Sequence, residues 1–147
     1  MPRTDARASG PAPVDDRLEV EVLGIERAAG RIAAEEVADL SVRALAAAGI
    51  EQGHLAVQFV APAHIRELNR AHRRRDAATD VLSFPVDAAG TTAGPRELGD
   101  VVVCPGAADD LRAAVVHGAL HLAGLDHESD AGEMLALQRE ILEAPGE

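Results

Sequence analysis

A chain of 147 residues holds one domain with a core of its own, and an apolar fraction of 47 % argues against a disordered chain. Phe59 and Phe84 are its only aromatic residues, so the core is Val, Leu, Ile and Ala, and base-stacking platforms are not to be expected. A net charge of −11, with 25 acids against 14 bases, argues against a general nucleic-acid coat.

All 14 bases are arginine, and five of them fall between Arg66 and Arg75, a local patch that can take an anion. One cysteine, Cys104, allows no intrachain disulfide and suits a reducing cytoplasm. No apolar run reaches membrane-spanning length. Residues 1–14 are rich in Pro, Ala and Arg without an apolar signal core, and read as a disordered lead-in to a single domain over 15–147.

In chain order, Arg17–Glu26 alternates Leu18, Val20 and Val22 with Glu19 and Glu21, the pattern of an amphipathic strand. Gly30–Ala48 repeats apolar positions at helical spacing (Ile32, Val37, Leu40, Val42, Leu45), and Gly49 closes the helix. His54–Val60 is a second strand, with Leu55, Val57 and Phe59 on one side. Pro62 opens a second helix, with Ile65 and Leu68 inward and the arginines around them. His64 and His72 in this region read as surface or helix-end residues.

Residues 73–80 are polar and irregular. Val81–Phe84 is a short strand stopped by Pro85. Residues 87–96, with Gly90, Gly94 and Pro95, form a loop. Val101–Cys104 is a continuous apolar run, as in an interior strand, and Cys104 reads as a packed core thiol. Asp109 or Asp110 caps a third helix. Asp130–Glu133 has the capping-box pattern for a last one, which turns Met134, Leu137, Ile141 and Leu142 inward. The sum is an α+β domain, a small mixed sheet of about four strands backed by helices.

The third helix carries the chemistry. His117 and His121 are four apart and share one helix face. Gly124 can take the left-handed conformation that ends a helix, and that turn returns His127 as a third ligand. Three neutral imidazoles around a zinc ion leave the fourth position to water, the layout of a catalytic and not a structural site. One such histidine is more often a core residue; three at H-x3-H-x5-H spacing predict a zincin-like metal site. That spacing is shared with the metzincin proteases, but Gly118 stands where those carry their general-base Glu, which counts against a peptidase.

The stretch His117–His127 (HGALHLAGLDH) resembles the H-G-x-L-H-L-x-G-x-D-H signature of the YbeY family of rRNA-maturation endoribonucleases. Leu68-Asn69-Arg70, Arg73, Asp76 and Thr79–Pro85 (TDVLSFP) are similar to a second block of that family. Leu98–Cys104 (LGDVVVC) is similar to a third. The resemblance implies one zinc ion per chain on His117, His121 and His127, and a single-strand-specific endoribonuclease. It implies a role in 16S rRNA 3′-end maturation and ribosome quality control, with the small ribosomal subunit and an Era-type GTPase as partners, in the cytoplasm and away from membranes. The family's important arginine falls on Arg73; Arg70, Arg74 and Ser83 are the further implied RNA contacts. The segment from Cys104 to His117 is shorter than the family's by a helix-sized piece, and Ala78 stands where the family often has proline.

In this scheme Arg73 clamps the scissile phosphate with a planar fork. Asp126 is placed to orient an imidazole. The general base stays open: metal hydroxide and the substrate's own 2′-hydroxyl both satisfy the residues. A non-catalytic ribosome-assembly factor with a structural metal is the alternative reading.

Overall fold

The computed structural model describes residues 18–86, 97–125 and 132–143. In it β1 (Leu18–Leu23) leads through a 3-10 turn (Ile25–Ala28) to α1 (Ala34–Ala47). β2 (Gly53–Phe59), α2 (Pro62–Arg73), β3 (Val81–Pro85) and β4 (Glu97–Val103) follow. A second 3-10 turn (Pro105–Ala107) leads to α3 (Leu111–Leu122), and α4 (Glu133–Glu143) is last. The lead-in over 1–14, the loop over 87–96 and the capping residue Asp130 lie outside the described residues.

The four strands form one mixed sheet in the order β1-β2-β4-β3. β1, β2 and β4 run parallel, and β3 is antiparallel to β4. β4 is therefore interior, with Val101 and Val103 turned to one face and Val102 to the other. Both faces are covered at this strand, which is why its sequence is continuously apolar. α1, α3 and α4 pack on the first face around Leu40, Leu55, Val57, Phe59 and Leu120, all buried. α2 covers the second face over Ile65, Leu82, Val102 and Cys104. The Cys104 thiol is a packed core group, as expected.

Three boundaries differ from the sequence reading. The first strand stops at Leu23, because Gly24 takes a left-handed turn (φ +72°) into the 3-10 segment. α1 starts at Ala34 and not at Gly30: Ala29 and Gly30 are both at positive φ. Arg31, ahead of α1, donates from its guanidinium to the carbonyls of Pro105 (2.8 Å) and Ala108 (2.7 Å). The strand expected over Val101–Cys104 extends back to Glu97, its outer part pairing with β3 through Gly99. Pro85 is the last residue of β3, at the sheet edge, where its missing N–H breaks no ladder bond.

Candidate active site

α3 starts at Asp110, whose Oδ1 accepts the Ala113 N–H at 3.1 Å and satisfies one of the orphan donors of the first turn. Most of the helix is buried: Leu111, Val115, Val116, Ala119 and Leu120 face the sheet or the neighbouring helices. His117 and His121 are half-buried, with ring centroids 4.7 Å apart and ring planes 79° apart.

Each ring is oriented through Nδ1. His117 Nδ1 lies 2.8 Å from Oε1 of Gln138 on α4. His121 Nδ1 lies 2.9 Å from the Leu125 carbonyl oxygen. A carbonyl oxygen can only accept, so in the neutral rings Nδ1 carries the proton and Nε2 carries the lone pair. That is how histidines that bind metal are held.

The Leu125 carbonyl arrives by the glycine turn read from the sequence. Gly124 sits at φ +102°; its N–H donates to His121 O (2.9 Å), and the Leu125 N–H donates to Leu120 O (3.1 Å). This paired closure ends α3 and folds Leu125 back over the last turn.

A cleft of about 590 Å³ opens between β3, α3 and α4, lined by Arg73, Asp80, Ser83, His117, His121 and Gln138 among others. Arg73 is the last residue of α2. The loop after it is tied down twice. Arg66 holds Asp76 with two hydrogen bonds (2.7 and 3.1 Å), which also keep the Asp76 carboxyl below the usual carboxylate range. The buried Asn69 donates to the Ala77 carbonyl (2.9 Å). Two of the five clustered arginines are thus engaged in ion pairs, Arg66 with Asp76 and Arg70 with Glu67. Arg74 takes the left-handed position that ends α2. Neither Arg70 nor Arg74 lines the cleft; Arg73 does. Ser83 lines it too, with its hydroxyl donating to the Gly118 carbonyl at 2.8 Å and tying β3 to α3.

Gly118 faces the sheet. A Cβ there would lie 2.5 Å from Val101 Cγ1 and 2.9 Å from Val81 Cγ2. A glutamate at this position has no room, which gives the absence of the peptidase base a steric cause. His64 and His72 stand on the other side of the sheet, in a groove with Phe84 and Asp100.

His127 and Asp126 lie outside the described residues. Among the described residues no group of three His, Cys, Asp or Glu side chains is gathered for a metal ion. The two imidazoles that are described fit a zinc ion: same helix face, Nδ1 protonated and held, both rings on one open cleft. Gln138, the Leu125 carbonyl and Asp80 were not singled out from the sequence. Asp80 was visible only as part of a motif. Gln138 and the Leu125 carbonyl carry no local signal, since a glutamine on a helix and a backbone oxygen gain a role only through packing.

The sequence model of the family described as Endoribonuclease YbeY matches residues 24–146. The chain belongs to the YbeY family. An Endoribonuclease YbeY of Rubrobacter xylanophilus is 42 % identical over 133 residues, covering 85 % of this chain and 94 % of that one. One of Pseudomonas putida is 34 % identical over 139 residues, covering 82 % and 86 %. A solution structure of a Thermotoga maritima protein is similar at 27 % identity and a TM-score of 0.47, covering 84 % of this chain and 87 % of that one. The YbeY match takes in α1 through α4, so Arg73, the Thr79–Pro85 motif and both cleft histidines fall inside it.

Proposed function

We propose that this chain is a zinc-dependent, single-strand-specific endoribonuclease whose reaction takes place in the cleft between β3 and α3. The observation that carries the reading is the meeting of Arg73 with two Nδ1-anchored histidines on one cleft, in a chain of the YbeY family. His117, His121 and His127 would hold one zinc ion, the first two through Nε2. Bound there, zinc supplies Lewis acidity toward a phosphoryl oxygen and makes water more acidic.

The chain's own residues do the rest. Arg73 holds the non-bridging oxygens of the scissile phosphate, and its position is set by the two ties on the loop that follows it. Gln138 and the Leu125 carbonyl keep both imidazoles in the ligating tautomer. Asp126 would orient an imidazole. The nucleophile is water or the substrate's adjacent 2′-hydroxyl; a 2′-deoxy substitution at the scissile nucleotide separates the two, because it abolishes cleavage only in the second case.

In the cell the substrate is the 16S rRNA 3′ end, with a part in ribosome quality control and with the small ribosomal subunit and an Era-type GTPase as partners. The setting is the cytoplasm; among the described residues no helix is long and apolar enough to cross a membrane.

The test pairs metal content with cleavage of a single-stranded RNA for wild type, His121→Ala and Arg73→Ala. The expected result is about one zinc per chain in wild type and Arg73→Ala, less in His121→Ala, and cleavage in wild type only. Zinc bound normally by a wild type that cleaves nothing would transfer the chain to the assembly-factor reading.

A further inference from the structure

The open edge of β3 belongs to the same cleft, and its backbone has a defined phase. The Cys104 N–H donates to Asp80 O (2.9 Å) and the Val86 N–H donates to Leu98 O (3.1 Å), one bond at each end of the β3–β4 pair. In an antiparallel ladder hydrogen-bonded pairs alternate with non-bonded ones. With the register Leu82↔Val102 and Phe84↔Asp100, the even residues of β3 point their N–H and C=O groups at β4. Val81, Ser83 and Pro85 point theirs outward. Proline at 85 agrees with this phase, because an outward N–H is the one a strand can lose. β3 is the last strand of the sheet, and neither the Val81 nor the Ser83 N–H has a partner among the described residues. Both residues line the cleft beside Arg73, His117 and His121.

We propose that this edge is a rail for the sugar-phosphate backbone of the RNA. The Val81 and Ser83 N–H groups donate to non-bridging oxygens of two successive phosphates on one side of the one held by Arg73. The inference rests on the endoribonuclease reading and names the chain's second set of substrate contacts. Two residues of strand separate the donors by about 6.8 Å, a spacing that suits successive phosphates of an extended single strand. Backbone N–H groups are common phosphate ligands and carry no sequence information, which fits recognition of a strand and not of a base.

An open strand edge also suits a peptide, which pairs through N–H and C=O groups along its length. Here the third donor is missing at Pro85, and the cleft offers a guanidinium as well. The missing donor shortens the ladder that a peptide could make, and the guanidinium favours a polyanion.

The experiment compares Val81→Pro with Val81→Ala, and Ser83→Pro with Ser83→Ala. Of the backbone hydrogen-bonding groups, proline removes an outward donor in each case and breaks no ladder bond, and the alanine variants control for the side chains, including the loss of the Ser83–Gly118 bond. Binding of a short single-stranded RNA is read by fluorescence anisotropy in the presence of a chelator, so the readout does not depend on turnover. The expected result is a Kd raised about tenfold by each proline relative to its alanine control, the worth of one hydrogen bond to a charged acceptor.

A second arm leaves the protein intact. A methylphosphonate at a phosphate next to the scissile one replaces a charged non-bridging oxygen by methyl, so it weakens binding to wild type by more than it weakens binding to Val81→Pro or Ser83→Pro. This arm decides the matter if a proline variant folds poorly. Wild type that binds and cleaves RNA while showing no loss from flanking methylphosphonates overturns the rail alone, and is the result expected of an edge that pairs with a peptide. Wild type that neither binds nor cleaves RNA overturns the endoribonuclease reading, and the rail with it.

Discussion

Gly118 and Gln138 show two ways in which single residues shape the cleft. At Gly118 the constraint is steric. Alanine is the better helix former by about 1 kcal/mol, but its Cβ would meet the buried Val101 and the half-buried Val81, whose χ1 angles are stiff. Overpacking of this kind costs roughly 1–3 kcal/mol. Gly118→Ala is therefore expected to lower stability by up to about 2 kcal/mol, read as a lower urea midpoint at unchanged slope. At Gln138 the constraint is a hydrogen bond. Gln138→Leu keeps the approximate volume and removes the acceptor of His117 Nδ1. Zinc affinity, measured by competition with a chromophoric chelator, is expected to fall about 10- to 100-fold with the fold intact. An unchanged affinity would show that His117 does not need its partner. The histidine pair was legible in the sequence from its four-residue spacing; Gln138 was not, since it lies 21 residues away on another helix.

Among the elements, the connection from β4 to α3 is the unusual one. It is a single 3-10 turn followed by the Asp110 cap, and its carbonyls at Pro105 and Ala108 are held by Arg31, more than 70 residues earlier in the chain. Arg31→Met is expected to cost about 1–2 kcal/mol, the lower range for charged hydrogen bonds because the residue is partly exposed. A melt within error of wild type would show that the turn holds itself. The sheet carries a second long-range tie. His54 on β2 lies between Glu97 of β4 (Nδ1 to Oε2, 2.8 Å) and Glu21 of β1 (Nε2 to Oε1, 3.5 Å). The bond to Glu97 raises the His54 pKa above its ordinary 6.5, with the charges of Glu97, Glu21 and Glu19 adding and burial opposing. A raised folded-state pKa stabilises the fold fully below 6.5, and that contribution is lost as pH rises through the raised value. The difference in urea midpoint between wild type and His54→Gln is thus expected to be largest in mild acid and to shrink at alkaline pH. A difference that grows with pH would contradict the assignment.

On the scale of the whole molecule, 25 acids against 14 arginines leave a net charge of −11, while the described cation of the cleft is Arg73. A chain of this net charge repels RNA on average, and Arg73 supplies a local attraction at the cleft. Each phosphate neutralised on a single strand contributes about −0.7 to the slope of log K against log salt. With one or two such contacts, raising salt from about 50 to about 200 mM should weaken RNA binding by only about two- to sevenfold. A loss of a hundredfold or more would point to a wider basic surface, one including Arg70 and Arg74.

The order of elements, the alternation of the first strand, the interior character of β4, an aspartate cap at 109 or 110 and the Gly124 turn were all determined by the sequence alone. Each depends on a residue's near neighbours, and the hydrophobic period, the cap and the left-handed glycine are local properties of the backbone. Tertiary structure alone decided that Arg73, and not Arg70 or Arg74, lines the cleft, that Gly118 faces valines, and that Gln138 and Leu125 orient the histidines. It also decided that the odd residues of β3 present their N–H groups outward. These depend on which groups meet across long stretches of chain, and a phase of one residue in the β3–β4 ladder reverses the last of them.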